Sequence, residues 1–525
     1  MSKKYIFHTC AALLLVLSYF WNSGSQALMA DEPTRALVSL EIMLRGNPIP
    51  TINNEIYLNK PPLYNWMLIP FYKVFGFGDG VTRFPAILSL LILGYMVFYY
   101  FKKFTGDITT SFFVAMALLT SGNMLFYSSL LGHIDATFSI FMFILFMQCY
   151  KLGSAGEWNK LYRWSYILCA IGFMLKGIPS IVFVGISLLV TALFFRKFKT
   201  LFSSSHFLNM LWFMVPVGLY FLLFSSYYPL SDYFLNLWSE SSKRTVMEKS
   251  FLESFSHLFT FPVHFIVDTA PWSLLVFIFI KKEARQYVQK NEFLRFCVYI
   301  FFANIFVYWL APDNRARYVM MLYPLFFALL FFTFKGLDFW QITWSNITIK
   351  ALPILFSIVL VAAFFLQIDV LQNYKLEWAL LFILSVALVY YSIRKKNTFF
   401  PLLFLLILVR IGFDMIIIPE RVLELNVGKE KQEAMDIVEI VGSEPLAMYS
   451  SNLHHGSSFY ITEKRRQILP IKTKYDSCDV NSYYLAPSEF VIDSANTEIY
   501  YSFNRKYQNK SFSLLKFKKE FPIRE

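Results

Sequence analysis

Long apolar runs separated by short polar segments dominate this sequence. A helix needs about 20 mostly apolar residues to cross a bilayer, and runs of nearly that length recur along the chain. Length and periodicity together predict about thirteen membrane spans. Their approximate bounds are 5–22, 81–101, 108–127, 134–150, 161–175, 178–195, 207–226, 263–280, 293–311, 318–334, 350–368, 377–393 and 399–417. The pattern indicates a polytopic α-helical membrane protein.

Lysine and arginine gather in every second loop between these spans. Cytoplasmic loops carry an excess of both residues, which predicts a cytoplasmic N-terminus. The segments assigned to the cytoplasm contain Lys3 and Lys4, Lys102 and Lys103, Lys151 to Arg163, Arg196 to Lys199, Lys281 to Lys290, Lys335, and Arg394 to Lys396. An odd number of spans then places the C-terminus on the outer side.

The first apolar run has two interpretations. Lys3 and Lys4, the apolar stretch after them and Ala27–Ala30 before Asp31 are typical of a signal peptide cleaved after Ala30. We favour a retained span, because the apolar segment begins near Tyr5 and the loop after it would otherwise lose its anchor.

The loop at 23–80 is the main polar segment on the predicted outer side. It contains amphipathic stretches at Thr34–Leu44 and Leu63–Phe75, each too short or too polar to span a bilayer. Such segments lie in the plane of the membrane interface. We therefore predict an outer catalytic loop within a transmembrane domain that covers residues 1–420.

From about Arg421 the composition becomes that of a soluble domain, residues 421–525. Lys429 to Val441 predicts a helix. Strands are predicted from period-two stretches at Ser458–Thr462, Tyr483–Leu485, Glu489–Asp493 and Ile499–Ser502. The expected fold is a small α/β extracytoplasmic domain.

Composition supports the membrane assignment and excludes other classes. The 525 residues are 57% hydrophobic, 19% aromatic and 16% charged, with a mean hydropathy of +0.49. The net charge of +13 does not indicate a nucleic-acid partner, because the cations lie in short clusters between spans. The five cysteines build neither a disulfide framework nor a metal-ligand spacing.

Asp31 is the first candidate catalytic residue. A carboxylate at the bilayer surface could deprotonate an acceptor hydroxyl that is otherwise a poor nucleophile. Asp31 also precedes Pro33, and Asp is a good N-cap, so capping is the alternative and compatible role. Glu32 is interpreted as a first-turn acid that complements the helix dipole, and Arg35 as a supporting residue.

Lys60 and Asp135 are the next candidates. Pro61 and Pro62 hold the chain extended after Lys60, so its ammonium could contact a phosphate; an interfacial, snorkelling lysine is the alternative. Asp135 lies at the mouth of a span, where a carboxylate is costly, and is either a site residue or an N-cap. His133, two residues earlier, is a possible supporting residue.

Several cations lie in predicted outer loops, although lysine and arginine are usually more frequent in cytoplasmic loops. They are Lys243, Arg244, Arg315 and Arg317, the last followed by the phenol of Tyr318. An anionic ligand would explain them, because Arg forks match phosphate oxygens; anionic lipid head groups are the alternative. His264 and Asp268 share a helix face but lack a third metal ligand.

These residues together resemble the membrane glycosyltransferases that use polyprenyl-phosphate sugars, including lipid A aminoarabinose transferases and protein O-mannosyltransferases. The resemblance covers roughly residues 1–335 and then more weakly the remainder. The matching motifs are Asp31-Glu32, Lys60-Pro-Pro62, Arg83-Phe-Pro85, Asp135, Lys176-Gly-Ile-Pro179, Ala270-Pro-Trp272, and Arg317-Tyr318 followed by Tyr323-Pro324.

The resemblance implies a GT-C fold and an inverting transfer from a polyprenyl phosphate, such as undecaprenyl phosphate. It implies that Asp31 acts as the base or positions the acceptor and that Asp135 is a second functional carboxylate. The residues implied to bind the donor phosphate are Lys60, Arg244, Arg317 and Tyr318. Lipid A, another envelope glycan or a protein would be the acceptor. No cofactor is predicted to be essential, and Asn59 before Lys60 weakens any case for a divalent metal.

The resemblance also implies a multi-pass protein of the bacterial inner membrane with a periplasmic C-terminal domain. A secondary transporter is the alternative of a different class. Transporters place polar or broken-helix signals in corresponding spans of two halves, whereas the ionisable residues here gather in loops. A non-catalytic scaffold or flippase partner is a further alternative.

Overall fold

A computed structural model describes most of the chain. The described residues are 3–242, 251–310, 316–337, 351, 354, 358, 375–394, 399–424, 426–472, 479–488, 497–505 and 510–518. Lys243, Arg244 and Arg315 lie outside these ranges, as do most of the predicted span 350–368 and the predicted strand Glu489–Asp493.

Helices make up most of the described chain. They are α1 (Lys3–Phe20), α2 (Glu32–Arg45), α3 (Leu63–Phe75), α4 (Asp79–Thr105), α5 (Ile108–Leu119), α6 (Gly122–Phe126), α7 (Ile134–Ser154), α8 (Trp158–Lys176), α9 (Pro179–Phe194), α10 (Ser204–Asn209), α11 (Leu211–Ser225), α12 (Leu230–Ser242), α13 (Phe251–Asp268), α14 (Lys282–Lys290), α15 (Glu292–Trp309), α16 (Tyr323–Gly336), α17 (Lys375–Arg394), α18 (Phe399–Glu424), α19 (Asn426–Val441) and α20 (His455–Arg465). Short 3₁₀ turns at Ser128–Leu130, Phe198–Phe202, Trp272–Ile280 and Ala316–Leu322 connect them.

Two predicted spans are not continuous helices. The predicted span 263–280 is wrong as one helix, because α13 ends at Asp268 and a 3₁₀ turn follows from Trp272. Pro271 lies at this break and has no backbone N–H to continue the helical ladder. The span 108–127 is bent by 46° between α5 and the segment Gly122–Leu130.

Six described helices are long and apolar enough to cross a membrane, or seven if the bent pair is one span. They are Asp79–Thr105, Ile134–Ser154, Ser204–Ser225, Glu292–Trp309, Arg317–Gly336 and Phe399–Pro419. The count of thirteen is not confirmed, since other predicted spans are shorter apolar helices, such as Pro179–Phe194, or lie outside the described residues. The chain is a multi-pass α-helical membrane protein, and its orientation stays a prediction.

The chain divides into two compact units. The first contains Met1–Ser23, Asn59–Pro61 and Phe84–Ile418. Aromatic rings fill part of its core: the ring of Trp272 lies 5.5 Å from that of Phe331 and 6.2 Å from that of Phe399. The buried indole N–H of Trp272 donates to Thr120 Oγ1 at 2.9 Å, so the aromatic contact also has a fixed orientation.

A buried ion pair lies on α18 in the same unit. Arg410 Nε lies 2.8 Å from Asp414 Oδ2 one turn later, and both side chains are almost fully buried. Arg410 also donates to Ser129 Oγ at 2.8 Å and to the carbonyl of Leu125. These bonds tie α18 to α6 and to the 3₁₀ turn that follows it, and they give the buried guanidinium hydrogen-bond partners in an apolar interior.

The second unit contains Gly24–Leu58, Pro62–Arg83 and Pro419–Glu525. Its five-stranded sheet has the order β4-β3-β5-β7-β6, with β3 parallel to β4 and β5 and antiparallel pairing at β5/β7 and β7/β6. The strands are β3 (Leu446–Tyr449), β4 (Ile471–Lys472), β5 (Tyr483–Pro487), β6 (Thr497–Arg505) and β7 (Lys510–Phe517); a hairpin of β1 (Thr51–Ile52) and β2 (Glu55–Ile56) precedes them.

Helix α2 is part of the core of this second unit. Leu37 and Leu40 on α2 are fully buried in one apolar cluster with Ile437 of α19 and Phe459 of α20. The segment after the first helix therefore packs with the C-terminal residues, although the sequence analysis assigned it to the transmembrane domain. The boundary at residue 420 as a division of function stays a prediction.

Several predictions for the C-terminal residues are confirmed and one is wrong. The helix at Lys429–Val441 lies within α19, and Tyr483–Leu485 and Ile499–Ser502 lie within β5 and β6. The predicted strand Ser458–Thr462 lies inside helix α20. Residues 456–462 are all buried, so no alternation between two faces distinguishes a strand from a helix there.

Candidate functional site

Three elements of the first unit bring one carboxylate and two cations together. Asp135 lies in the first turn of α7, Lys176 is the last residue of α8, and Arg317 lies in the 3₁₀ turn Ala316–Leu322. Gly177, with φ +83°, ends α8 directly after Lys176. Because α7 and α8 pack against each other, the end of one helix meets the start of the other.

The carboxylate of Asp135 is shared between both cations. Lys176 Nζ lies 2.6 Å from Oδ1, and Arg317 Nε lies 3.3 Å from Oδ2. All three side chains are only 3% exposed. Among the described residues, two cations and one carboxylate meet here, a surplus of one positive charge in a buried place where electrostatic interactions are strong.

Aromatic and imidazole rings surround this cluster. Arg317 Nη1 lies 2.7 Å from His133 Nε2, and Lys176 Nζ lies 4.3 Å from the centroid of the Tyr318 ring. The guanidinium of Arg317 also lies 5.5 Å from that ring. Ring faces attract cations, so Tyr318 helps hold both in place. The structure thus brings together four predicted residues, Asp135, His133, Arg317 and Tyr318.

Lys176 is the member of this cluster that the sequence analysis did not name as a site residue. Its motif, Lys176-Gly-Ile-Pro179, entered only as one of the motifs that carry the family resemblance. One feature of the sequence could have identified Lys176 as a site residue: it lies on the predicted outer side, whereas lysines usually gather in cytoplasmic loops. Its pairing with Asp135 depends on the packing of two helices, which the sequence alone does not specify.

Asp31 lies in the second unit, at the N-terminus of α2. It occupies the N-cap position, but its side chain makes no capping hydrogen bond. Asp31 is exposed, whereas Glu32 and Pro33 beside it are buried. The capping interpretation of Asp31 is therefore wrong: the residue stands at the N-cap position, but its side chain does not bond the first-turn N–H groups.

Glu32 forms a buried, doubly bonded ion pair. Arg83 Nε lies 2.8 Å from its Oε1, and Arg83 Nη2 lies 2.9 Å from Oε2. Glu32 Oε2 also accepts from the backbone N–H of Met29 at 2.9 Å, while Arg83 Nη1 donates to the carbonyl of Gln26 at 2.8 Å. Glu32 thus fixes the turn before α2 rather than acting only on the helix dipole.

Arg35, three residues after Glu32 on α2, is held by a separate set of hydrogen bonds. Its Nη2 donates to the hydroxyl of Tyr57 at 2.8 Å, and its Nη1 donates to Asn65 Oδ1 at 3.4 Å. Thr34 Oγ1 lies 2.7 Å from Nδ1 of His455 in α20. Burial, assisted by the nearby His454 and Arg35, lowers the pKa of His455 to about 4. His455 is not among the residues predicted from the sequence, because 421 residues separate it from Thr34.

Lys60 belongs to the first unit with Asn59 and Pro61, and it is half-buried. Asn59 Oδ1 accepts a hydrogen bond from Asn236 Nδ2 on α12 at 3.3 Å. Asn236 precedes Arg244 by eight residues, and Arg244 itself lies outside the described residues. The residue beside Lys60 is thus tied to the helix that leads to the predicted donor-binding arginine.

Metal binding finds no support in the described part of the chain. Within those ranges, no group of three or more His, Cys, Asp or Glu residues is placed to hold an ion. His264 and Asp268 accordingly have no third ligand there. That no metal is essential stays a prediction.

Comparisons with known proteins match this chain over different lengths. A family model described as dolichyl-phosphate-mannose-protein mannosyltransferase matches residues 59–224, which include Lys60, Asp135 and Lys176. An uncharacterized protein from Aquifex aeolicus (strain VF5) is 30% identical over 109 residues. That match covers 20% of this chain and 21% of the relative, so the chain spans about a fifth of the curated relative's length.

Solved structures match nearly the whole chain. ArnT from Cupriavidus metallidurans, bound to undecaprenyl phosphate, superimposes with a TM-score of 0.71 at 14% identity over 98% of both chains. Its apo state gives a TM-score of 0.68 at 13% identity over 97% of both chains. At this identity the likeness establishes a shared fold, which extends to the C-terminal residues.

Proposed function

We propose that this chain belongs to the GT-C superfamily and transfers a sugar from a polyprenyl-phosphate carrier to an acceptor at a membrane surface; its fold and its partial family-model match support this. The buried cluster of Asp135, Lys176 and Arg317 carries this proposal. Its surplus positive charge suits a phosphate that gains negative charge as it leaves. The bound lipid of the structurally similar ArnT, undecaprenyl phosphate, has this chemistry.

The donor phosphate is assigned to Lys60, Arg317 and Tyr318, with Arg244 as a further contact. A guanidinium fork matches phosphate oxygens, a lysine adds a point charge, and a phenol adds a hydrogen-bond donor. Asp135 holds Lys176 and Arg317 in position. A lone carboxylate in this place would repel the phosphate, but one shared between two cations does not cancel their charge.

Asp31 is proposed as the general base. The acceptor oxygen attacks the anomeric carbon, the bond from that carbon to the phosphate oxygen breaks, and the acceptor proton passes to the Asp31 carboxylate. The lipid phosphate leaves with the bonding electrons, and configuration at the anomeric carbon inverts. Glu32 and Arg35 support this role by fixing α2 through Arg83, Tyr57 and Asn65.

Two acceptor classes stand as candidates. Lipid A or another envelope glycolipid follows from the resemblance to aminoarabinose transferases and from the ArnT-like fold. A protein acceptor is favoured by the family model, whose description is that of a protein mannosyltransferase. In either case we propose that the reaction occurs on the outer face of the bacterial inner membrane, where the C-terminal domain would also lie.

The proposal is tested by comparing envelope lipids and glycoproteins from cells with the gene, without it, and with Asp31→Asn. Mass spectrometry should find one lipid or protein that loses a sugar-sized mass in the deletion strain. General-base catalysis typically contributes 10²–10⁴-fold, so the Asn variant should resemble the deletion. Unchanged modification in the variant removes Asp31 from the mechanism, and unchanged envelopes in the deletion strain refute the transferase proposal.

A further inference from the structure

Helix α13 carries a stripe of polar side chains along one face. His257, Thr260, His264 and Asp268 follow one another at spacings of three and four residues, which places them on the same side of a helix. Thr260 and His264 are exposed, while His257 and Asp268 are half-buried. Apart from Ser256, the other exposed positions of this helix whose burial is described are apolar (Phe255, Phe259, Val263 and Val267).

The stripe lines a cavity of about 260 Å³. The remaining walls are three buried apolar side chains, Phe261, Phe265 and Val319. Pockets for drug-sized ligands range from about 300 to 1,000 Å³ and combine apolar walls with a few polar groups. This cavity has that mixture at a size suited to one sugar ring.

The floor of the cavity is held by neighbouring elements. Asn123 Nδ2 donates a long hydrogen bond, 3.5 Å, to Asp268 Oδ1. The backbone N–H of Gly122 donates to the carbonyl of Ala270 at 2.8 Å, which fixes the chain beyond α13 against α6. Asn123 thus holds one carboxylate oxygen of Asp268, and Asp268 is part of the cavity lining.

Val319 connects this cavity to the cationic cluster. It lies two residues after Arg317 in the same 3₁₀ turn, and two residues span at most about 7 Å. A sugar is joined directly to its carrier phosphate. A phosphate at Arg317 would therefore place its sugar within reach of the cavity wall.

The chemistry of the lining excludes the simpler occupants. His257 and His264 are separated by about 10 Å along the helix axis at 1.5 Å per residue, too far to share one metal ion. A lipid tail would leave four polar side chains without water, and a second phosphate would meet the carboxylate of Asp268. Hydroxyl groups match imidazole, threonine and carboxylate partners, while the apolar face of a sugar ring packs on phenylalanine.

We propose that this cavity binds the sugar ring of the lipid-linked donor, with Asp268 as its main hydrogen-bond acceptor; this rests on the proposed function. Thr260 and His264 bind further hydroxyl groups, and Phe261 and Phe265 contact the ring face. These residues, rather than the phosphate cluster, would then determine which sugar the enzyme accepts.

The test separates the sugar from its carrier. The purified full-length protein in detergent is titrated with undecaprenyl phosphate and with undecaprenyl phosphates that carry a pentose, a hexose or an N-acetylhexosamine. The best sugar-bearing ligand should bind more tightly than undecaprenyl phosphate. Asp268→Ala should weaken that ligand about tenfold or more, since one hydrogen bond to a charged group is lost, and leave undecaprenyl phosphate unchanged.

Val267→Ala is the matched control, because Val267 is 62% exposed and does not line the cavity. It should change neither affinity, and retained undecaprenyl phosphate binding shows that Asp268→Ala is folded. If Asp268→Ala misfolds, Asp268→Asn replaces it with the same expected direction. Equal affinity for sugar-bearing and sugar-free lipids, or equal losses for both, overturns this inference alone. Failure to bind undecaprenyl phosphate at all overturns the proposed function with it.

Discussion

Two buried carboxylates, one in each unit, are neutralised in different ways. Glu32 is matched by a single guanidinium, Arg83, and backbone groups satisfy the remaining atoms of the pair. Asp135 instead faces two cations, Lys176 and Arg317, so among the described residues this group carries one surplus positive charge. Both groups are almost fully buried, but only the second has a surplus positive charge that an anionic ligand could neutralise.

This difference distinguishes a structural ion pair from a binding site. Taking charges out of water is expensive, and a balanced, fully bonded pair is the arrangement that only maintains a fold. A buried cluster with surplus charge costs more than the balanced pair would. We infer that the extra cation is retained because an anion binds there.

The largest expected effect is on the balanced pair. Arg83→Leu leaves Glu32 buried without its counter-charge, so the free energy of unfolding in detergent should fall by about 3–5 kcal/mol. The double variant Glu32→Gln with Arg83→Leu should recover part of this loss, because no uncompensated charge remains. A loss below about 1 kcal/mol for the single variant would show that the pair does not hold the turn before α2.

The cationic cluster should respond in activity more than in stability. Arg317→Met leaves Asp135 paired with Lys176 but removes the fork assigned to the phosphate. Losing one such electrostatic contact typically reduces turnover by about 10²–10³-fold. Sugar transfer in reconstituted vesicles is the readout, and thermal unfolding is the control. Arg317→Lys should be intermediate, since it keeps the charge without the fork.

A neutral histidine gives the second unit a dependence on pH. Burial lowers the pKa of His455 to about 4, from 6.5 in the unfolded chain, so the unfolded chain binds the proton more readily. Stability from this residue is therefore complete above pH 6.5 and is lost as the pH falls toward 4, at up to about 1.4 kcal/mol per unit. Unfolding measured from pH 7.5 to 4 should show this slope, and His455→Gln should flatten it. An equal slope in the variant would assign the acid sensitivity to other groups.

Hydrophobic patterning predicts much of the fold, because helix positions follow from the length of apolar runs. The helices at 81–101, 134–150 and 399–417 are predicted in this way and are longer in the structure, and the helix predicted at 293–311 is observed at Glu292–Trp309. The same method failed at 458–462, where a segment buried on all sides has no periodicity to read. The count of thirteen spans is not confirmed, and at 263–280 the length of the apolar run did not show where the helix breaks.

The sequence predicts most residues of the candidate site but not which of them contact one another. Asp135, Arg317 and Tyr318 can be identified from the sequence because they are polar residues at the predicted outer ends of apolar spans. Lys176 is 41 residues from Asp135, and their contact depends on how α7 packs on α8. Arg83 and Glu32 are likewise 51 residues apart, so each motif was visible while the ion pair was not.

The smallest effect is expected at an exposed ion pair on the surface. Glu157 and Lys160 form an ion pair at 2.9 Å, but their side chains are 42% and 62% exposed. Water already solvates both charges, so Lys160→Ala should change the free energy of unfolding by less than about 1 kcal/mol. The measurement is the same detergent unfolding used for Arg83→Leu, with added salt expected to make no large difference. If Lys160→Ala cost as much as Arg83→Leu, burial would not be what separates the two carboxylate groups from ordinary surface pairs.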